Sequence, residues 1–392
     1  MLLSLKESVA AILPEIVALR HELHQHPEIR FEEHWTADRI AAFLDAHGIP
    51  CSRGHARGTG IVATLRGAAE TPIVALRADM DALQIQEETG LPYASCIPRR
   101  MHACGHDGHM AVLCGVAQVL AAHRSQLPGS VKLMFQPAEE QAGGGRLMVE
   151  EGLLDGVSAA FALHGWPAVP LHKAAISDRQ VMASADFFTI RVEGRGGHGA
   201  DPGKTIDPIV AAAHIITALQ TVAARETDPW DAAVVTVSHI EAGATSNIIP
   251  DSAFMQGTFR ALTLETRDRI ARAIERIVAQ TAQAHRAIAS VSLGHDAYPP
   301  LINDPDMAAL ARDAARDVLG AEGVVAPAHP YMTAEDFAFF LHEVPGVYLL
   351  LGLGGPEALH TARFDFNDAV LPNAIELMAN IALRALRHFR AD

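Results

Sequence analysis

The sequence lacks long apolar runs, has few cysteines and carries few basic side chains, and each shortage excludes a class of protein. Four cysteines in 392 residues are too few for the disulfide framework of a secreted scaffold. With 46 acidic against 31 basic side chains the net charge is -15, which excludes the basic surface that nucleic acids and anionic membranes require. No apolar run approaches the roughly 18 to 20 residues that span a bilayer. We therefore expect a cytoplasmic protein that binds neither nucleic acid nor membrane.

Histidine, in contrast, is abundant, with 21 residues in the chain. The densest cluster is residues 101–109 (MHACGHDGH), in which Cys104 and His106 are two positions apart and point to the same side of an extended segment. A thiolate with an imidazole suits zinc, nickel or cobalt. The alternative is a histidine-rich loop around a buried cysteine. Because two ligands do not make a site, the others must come from elsewhere in the chain.

Strand-like and helix-like segments alternate through the first 180 residues. Four short apolar runs, each bounded by glycine, proline or charge, predict buried strands at residues 61–65, 73–77, 131–135 and 159–163. Helical patterns lie between them. Such alternation is typical of an α/β domain with a mostly parallel sheet.

From residue 181 the pattern changes to the order βαββαβ, which is the ferredoxin-like arrangement. Its first helix has a clear start signal, Asp207 followed by Pro208. We infer a domain at residues 181–295 that is inserted into a larger catalytic domain made of residues 1–180 and 296–392.

Residues that could carry chemistry follow the predicted strands. The strand ends carry Asp81, the pair Glu139 and Glu140, and His164. In an open α/β sheet such loops converge at the carboxyl ends of the strands. Adjacent glutamates point in different directions, so one could bind metal while the other takes a proton from a metal-activated water and delivers it to a leaving amine. The spacing does not say which glutamate does which, and a solvated loop is the alternative for the pair alone.

Several motifs together resemble the M20 metallopeptidase family. They are residues 101–109, 136–140 (QPAEE), 164–167 (HGWP), and 359–360 (LH) with 364–368 (FDFND), and the match extends nearly end to end from residues 23–28 (LHQHPE). The amidohydrolase branch, with its N-acyl-amino-acid, hippurate and plant auxin-conjugate hydrolases, is the most similar. The resemblance implies a phosphorylase/hydrolase-like catalytic domain and two divalent metal ions (Zn, Mn, Ni or Co). It implies the metal ligands Cys104, His106, Glu140, His164 and His360.

The same resemblance implies roles for five further residues. Glu139 would be the general base, and Asp81 would orient the site. His198 would stabilise the oxyanion, within one chain or across a dimer, although a glycine-flanked loop residue without a role is the alternative. Asn247 and Arg260 would meet the substrate carboxylate. In the family the inserted domain is a lid that commonly forms the dimer interface, so we expect a homodimer or a higher homo-oligomer.

We therefore predict an enzyme that hydrolyses the amide bond of N-acyl amino acids, such as hippurate or N-acetyl compounds, to a carboxylate and a free amino acid. A dipeptidase of the same family is the nearest alternative. A cysteine hydrolase that uses Cys104 with His102 or His109 would keep its activity after chelation. A binding protein with a degenerate site is the remaining alternative, but it would not require Glu139.

Overall fold

The computed structural model describes residues 5–295 and 297–391, and the chain forms two compact units. The smaller unit comprises Gln180–Leu301 and Pro330–Glu335, and the larger one contains the rest. We predicted an insertion at 181–295, so the observed unit is longer at its end and includes a second segment. The second segment belongs there because Tyr331 accepts a backbone hydrogen bond from Ala183 and donates one to Val181, both of 2.9 Å.

The first part of the chain alternates helices and strands as predicted. Its elements are α1 (Lys6–Gln25), α2 (His34–Ala46), β1 (Cys51–His55), β2 (Gly60–Leu65), β3 (Ile73–Asp79), α3 (His106–Ala122), β4 (Ser130–Gln136), α4 (Gly144–Glu150), β5 (Val157–Trp166) and β6 (Ala174–Ala175). The four predicted strands are confirmed as β2, β3, β4 and β5.

The middle and last parts of the chain supply the remaining elements. The middle part contains β7 (Gln180–Met182), β8 (Asp186–Glu193), β9 (Gly197–His198), α5 (Pro208–Thr221), β10 (Ala233–Ala242), β11 (Ile248–Ile249), β12 (Ser252–Ala261), α6 (Leu264–Ala284), β13 (Ile288–Leu293) and β14 (Leu301–Ile302). The last part contains α7 (Pro305–Leu319), β15 (Val324–Val325), α8 (Ala338–Glu343), β16 (Gly346–Gly352) and α9 (Leu371–Ala391).

The larger unit is an α/β fold around an eight-stranded sheet in the order β1-β2-β4-β3-β5-β16-β6-β15. The four central strands β4, β3, β5 and β16 run parallel, while β2 and β6 join them antiparallel. All seven residues of β16 (GVYLLLG) are buried, as expected for a parallel strand covered on both faces. Consequently the carboxyl ends of four neighbouring strands meet at one edge of the sheet.

Helix α3 is the centre of the larger core, and its packing fixes the loop that precedes it. The helix is apolar on nearly all sides, as is typical of a buried helix, and it contacts α1, α2, α9 and β3. Gly108 in its first turn admits the ring of Phe366, because a Cβ there would lie 2.4 Å from Phe366 Cδ2. The helix begins at His106, so this packing places a histidine at the edge of the sheet.

The smaller unit contains the order β8-α5-β10-β12-α6-β13, with an antiparallel sheet in the order β10-β12-β8-β13. The predicted helix start is confirmed, since the Asp207 side chain accepts from the amides of Ile209 (2.9 Å) and Val210 (3.3 Å). Along α6 the buried Ile270 and Ile274 pack into the core of this unit. Strands β10 and β13 form the two edges of the sheet.

Two helical segments, Pro208–Glu226 and Asp368–Arg390, are long and apolar enough to cross a membrane by length and composition alone. Core helices of globular proteins pass the same test. The second segment is mostly buried in its own unit, whereas the first exposes apolar side chains such as Val210.

Candidate metal centre

Side chains from four parallel strand ends and the start of α3 meet at the sheet edge of the larger unit. Strand β3 leads to Asp81, β4 to Glu139 and Glu140, β5 carries His164, and the loop after β16 carries His360. Cys104 and His106 come from the segment that enters α3. The ligand atoms form overlapping groups within 4.8 Å that share Cys104, namely Cys104, His106 and His164, and Cys104, Glu140 and His360.

The distances between these atoms match those between ligands of one metal ion. The Cys104 sulfur lies 3.3 Å from Nε2 of His164 and 3.3 Å from Nε2 of His360. Nε2 of His360 lies 3.1 Å from Oε1 of Glu140. Ligands at tetrahedral angles around zinc lie about 3.3 to 3.6 Å apart, given Zn–N and Zn–S bonds of about 2.0 to 2.3 Å. The arrangement can therefore hold a cation with little rearrangement.

His106 gives the clearest sign that a cation belongs here. Its Nδ1 donates to the backbone oxygen of Asp81 at 2.8 Å, which leaves Nε2 unprotonated in the neutral ring. This buried Nε2 has no hydrogen-bond partner among the described residues. Burial disfavours the charged ring, but the carboxylates of Asp79 and Asp81 outweigh it and raise the pKa of His106 to about 10. The same negative field that attracts a proton to Nε2 attracts a metal ion.

The other ligand candidates have the protonation chemistry of a metal site. Burial lowers the pKa of His164 well below its usual range, so the imidazole is neutral, as a ligand must be. Burial, together with the charges of Glu140 and Glu139, raises the pKa of the Cys104 thiol well above its usual range. This thiol needs a bound cation to become a thiolate. His360 and His106 lower the pKa of the Glu140 carboxyl, although burial opposes them.

Asp81 holds the glutamate pair in place. Its two carboxylate oxygens accept from the backbone amides of Glu139 (2.9 Å) and Glu140 (3.1 Å). Both glutamates are thereby oriented through one carboxylate. The preceding residue, Ala138, adopts a left-handed backbone with φ of 55°, and Glu139 itself is buried.

Asp79 and His109 are two buried residues beside the site to which the sequence assigned no role in metal binding. Asp79 accepts from Nδ1 of His109 at 2.7 Å and from Arg77 at 2.6 Å. Arg77 also donates to Asp336 at 3.0 Å and to Gln136 at 2.8 Å. His109 belongs to the predicted histidine cluster, so the available signal was a polar residue one turn into an otherwise apolar helix.

The geometry does not support a cysteine hydrolase that uses Cys104 with His102 or His109. A nucleophilic cysteine needs a lowered pKa and a histidine base within reach. The pKa of Cys104 is raised, as described above. Nε2 of His109 already accepts from the amide of Gly165 at 2.8 Å. Neither ring nitrogen of the buried His102 has a hydrogen-bond partner in the described part of the chain, Cys104 included.

The remaining candidates, His198, Asn247 and Arg260, belong to the smaller unit. His198 lies in β9, which pairs with β11, and the backbone of Asn247 accepts from Gly199 at 2.9 Å, so the first two are neighbours. Arg260 lies on β12, where it donates to Thr258 at 2.7 Å and its guanidinium lies 5.7 Å from the Phe187 ring centroid.

Comparison with known proteins places the chain in a family. Residues 75–384 match the model described as Peptidase family M20/M25/M40. The IAA-amino acid hydrolase ILR1-like 2 of Arabidopsis thaliana is 40% identical over 379 residues, which cover 95% of this chain and 85% of the relative. The N-acetyl-L-cysteine deacetylase of Bacillus subtilis is 37% identical over 390 residues, which cover 98% of this chain and 92% of the relative.

A solved structure gives the same result. The YXEP protein of Bacillus subtilis, described as a dinuclear metal binding peptidase from the M20 family, superposes with a TM-score of 0.87 at 35% identity, covering 96% of this chain and 99% of that one. The resemblance seen in the sequence motifs is therefore confirmed. The chain belongs to peptidase family M20/M25/M40, within its amidohydrolase branch, and it is a hydrolase.

Proposed function

We propose that this chain uses two divalent metal ions to hydrolyse the amide bond of N-acyl amino acids, releasing a carboxylate and a free amino acid. The observation that carries this proposal is the pair of overlapping ligand groups that share Cys104 beside Glu139. The relatives named above act on an IAA–amino acid conjugate and on N-acetyl-L-cysteine, which are both N-acyl amino acids. The B. subtilis neighbour is described as binding two metals.

The metal ligands in this proposal are Cys104, His106, Glu140, His164 and His360. A thiolate, three imidazoles and a carboxylate suit zinc, nickel or cobalt. Manganese is the alternative, although this hard cation prefers oxygen ligands. When bound, the two ions would supply a water of lowered pKa and polarise the amide carbonyl.

Glu139 is the proposed general base. It lies beside the ligand Glu140, and its backbone amide is fixed by Asp81, which we therefore assign an orienting role. A carboxylate in this position can take a proton from the attacking water and return it to the departing amine. Because adjacent side chains diverge, one glutamate can bind metal while the other handles the proton.

We further propose that the smaller unit is a ferredoxin-like lid that contributes His198 as the oxyanion donor. Nδ1 of His198 accepts from the amide of Ala200 at 3.0 Å, which places the ring proton of the neutral form on Nε2. A neutral Nε2–H is the donor that a developing oxyanion needs. Asn247 and Arg260 are the proposed contacts of the substrate carboxylate.

The lid is also the proposed interface of a homodimer. It exposes large apolar side chains, including Trp230 (95% exposed) and Ile240 (48% exposed). Ile240 lies on the edge strand β10, next to unpaired backbone groups that a second copy could use. An apolar side chain on an exposed edge strand favours pairing with another chain.

The test is a hydrolysis screen on acetyl, benzoyl, indole-acetyl and longer acyl amino acids and on dipeptides, with several divalent metals. We expect the wild type to cleave acyl amino acids, and Glu139→Gln to lose at least about 1,000-fold in kcat with unchanged metal content. Glu140→Gln is the matched control, because it should lose metal as well as turnover.

Three outcomes would contradict the proposal. Activity that survives complete chelation would indicate a cysteine nucleophile. Persistent turnover by Glu139→Gln would remove the general base. Cleavage of dipeptides alone would favour the dipeptidase, which is the second candidate because the B. subtilis neighbour is a peptidase.

A further inference from the structure

His109 is buried one turn after His106 on α3, and both of its ring nitrogens are occupied. Its Nδ1 lies 2.7 Å from Oδ1 of Asp79, and its Nε2 lies 2.8 Å from the backbone nitrogen of Gly165. A backbone N–H can only donate, so Nε2 is the acceptor and the proton of the neutral ring is on Nδ1. His109 therefore has no lone pair left for a metal, although it is part of a ligand-like group with Asp79 and His106.

Gly165 also bonds to a proposed ligand, through its carbonyl, which belongs to the next peptide group. The carbonyl of Gly165 accepts from Nδ1 of His164 at 2.8 Å. With its proton on Nδ1, His164 has an unprotonated Nε2, the atom that lies 3.3 Å from the Cys104 sulfur. Asp79 and His164 are thus connected by three hydrogen bonds that involve two different peptide groups of Gly165, and the tautomer of His164 follows from the carbonyl contact alone.

The sheet itself explains why a side chain is needed here. Strands β3 and β5 pair in parallel only as far as Arg77 and Ala162. Beyond this point, His109 bonds to Asp79 of β3 and Gly165 of β5. Without His109 the buried amide of Gly165 would lose its acceptor, at a cost of about 1 to 3 kcal/mol.

The Asp79 end of these hydrogen bonds is anchored as well. Asp79 is fully buried, and Arg77 donates to it at 2.6 Å. Arg77 is in turn fixed by Asp336 and by Gln136, which itself donates to Asp336 at 2.8 Å. A rigidly held carboxylate is what a histidine needs to keep one tautomer and one orientation.

We propose that His109, itself held by Asp79, is a positioning residue: by accepting from the Gly165 amide it holds the backbone next to His164, and so fixes the orientation of this ligand. The inference rests on the proposed role of His164 as a metal ligand. It assigns His109 no contact with metal or substrate.

Two substitutions separate the halves of this link. The carboxamide of His109→Asn lies about where Nδ1 lies, so it can bond to Asp79 but cannot reach Gly165. The carboxamide of His109→Gln reaches about as far as Nε2 and can accept from Gly165. Both are small polar changes on the same helix, so their folding should be comparable.

The measurement is Co²⁺ binding by the metal-free protein, followed through the visible absorption spectrum of the bound ion and by competition with a chelator. We expect His109→Asn to bind Co²⁺ roughly 10- to 100-fold more weakly with an altered spectrum, and His109→Gln to stay close to wild type. Val116→Ala is the control for a general loss of packing in α3, because it removes buried methyl groups from the same helix away from His109. It should leave the Co²⁺ spectrum unchanged.

Equal weakening by Asn and Gln, or none by either, would overturn the link through Gly165. His164→Ala separates this result from a failure of the proposed function. If His164→Ala binds Co²⁺ with the wild-type affinity and spectrum, His164 is not a ligand, and the proposed site falls together with the inference. If His164→Ala loses the ion while His109→Asn retains it, only the role of His109 is wrong.

Discussion

Two residues of the candidate site have an unusual backbone. Ala138 and His360 have φ values of 55° and 61°, in the left-handed region that residues other than glycine seldom adopt. Each costs of order 1 to 2 kcal/mol, which the surrounding contacts must offset. Ala138 precedes the proposed base Glu139, and His360 is a proposed metal ligand. Backbone strain of this kind is concentrated at sites where the direction of a side chain matters for function.

Glu33 makes the stability of the protein depend on pH. It is fully buried, and it accepts from Thr59 (2.8 Å) and from the amide of Ala138 (3.0 Å). Burial, with the nearby charge of Asp81, raises the pKa of Glu33 to about 8 from its ordinary 4.5. Between these values the folded protein keeps a proton that the unfolded chain releases, so this group's contribution to stability is lost as pH rises from about 4.5 to about 8.

We expect Glu33→Gln to remove that loss. One pKa unit corresponds to about 1.4 kcal/mol, so the variant should gain a few kcal/mol relative to wild type on going from pH 5 to pH 8. Urea unfolding of the metal-free proteins at both pH values measures the difference. Glu32→Gln, a change at the exposed neighbour, is the control and should follow the wild type. A wild-type slope retained in Glu33→Gln would disprove the assignment.

At this scale the sequence predicts candidate residues that lie in short linear motifs, such as Cys104 with His106 and Glu139 with Glu140. It could not identify His109 as a bridging residue, because its partners are 30 and 56 positions away. Their proximity exists only once β3 and β5 are adjacent. Glu33 was missed for the same reason, since Ala138 is 105 positions distant.

At the scale of elements, α3 determines where the site lies, and Gly108 determines how closely α3 packs against Phe366. Alanine at this position would gain up to about 1 kcal/mol of helix propensity. Its Cβ, however, would lie 2.4 Å from the Phe366 ring, and such overpacking typically costs about 1 to 3 kcal/mol. The cost of overpacking is larger than the gain in helix propensity, so glycine is the more stable residue at position 108 although it is a poor helix former.

We therefore expect Gly108→Ala to lower the free energy of unfolding by about 1 to 2 kcal/mol, measured by urea denaturation. The control is the double variant Gly108→Ala with Phe366→Leu, in which the smaller side chain relieves the clash. The double variant should be destabilised by less than the sum of the two single changes. Strict additivity would show that the two residues do not interact.

The central strands could be predicted because each is a short apolar run with clear ends. The two-residue strands β6, β15, β9 and β11 could not, since two residues carry no periodicity and their pairing depends on tertiary contacts. The second segment of the smaller unit was missed likewise. Nothing in residues 330–335 marks them as neighbours of β7 before the chain has folded.

At the scale of the whole molecule, the proposed dimer can be tested at the two edges of one sheet. Ile240 lies on the edge strand β10, and Ile288, which is 72% exposed, lies on the opposite edge strand β13. A lysine on an edge strand opposes strand pairing. We expect Ile240→Lys to convert the dimer to a monomer in analytical ultracentrifugation, while Ile288→Lys remains dimeric. Dissociation by Ile288→Lys alone, or a monomeric wild type, would contradict the proposed interface.

The larger unit is built from both ends of the chain, and this order has a consequence for its synthesis. Cys104 and His360 are 256 residues apart, yet they lie within 3.3 Å of each other. At about 5 to 20 residues per second, a ribosome needs roughly 13 to 50 s to add the second after the first. During that interval the sheet lacks β16 and the thiol lacks its final neighbours. The complete set of proposed metal ligands therefore exists only after translation has passed residue 360.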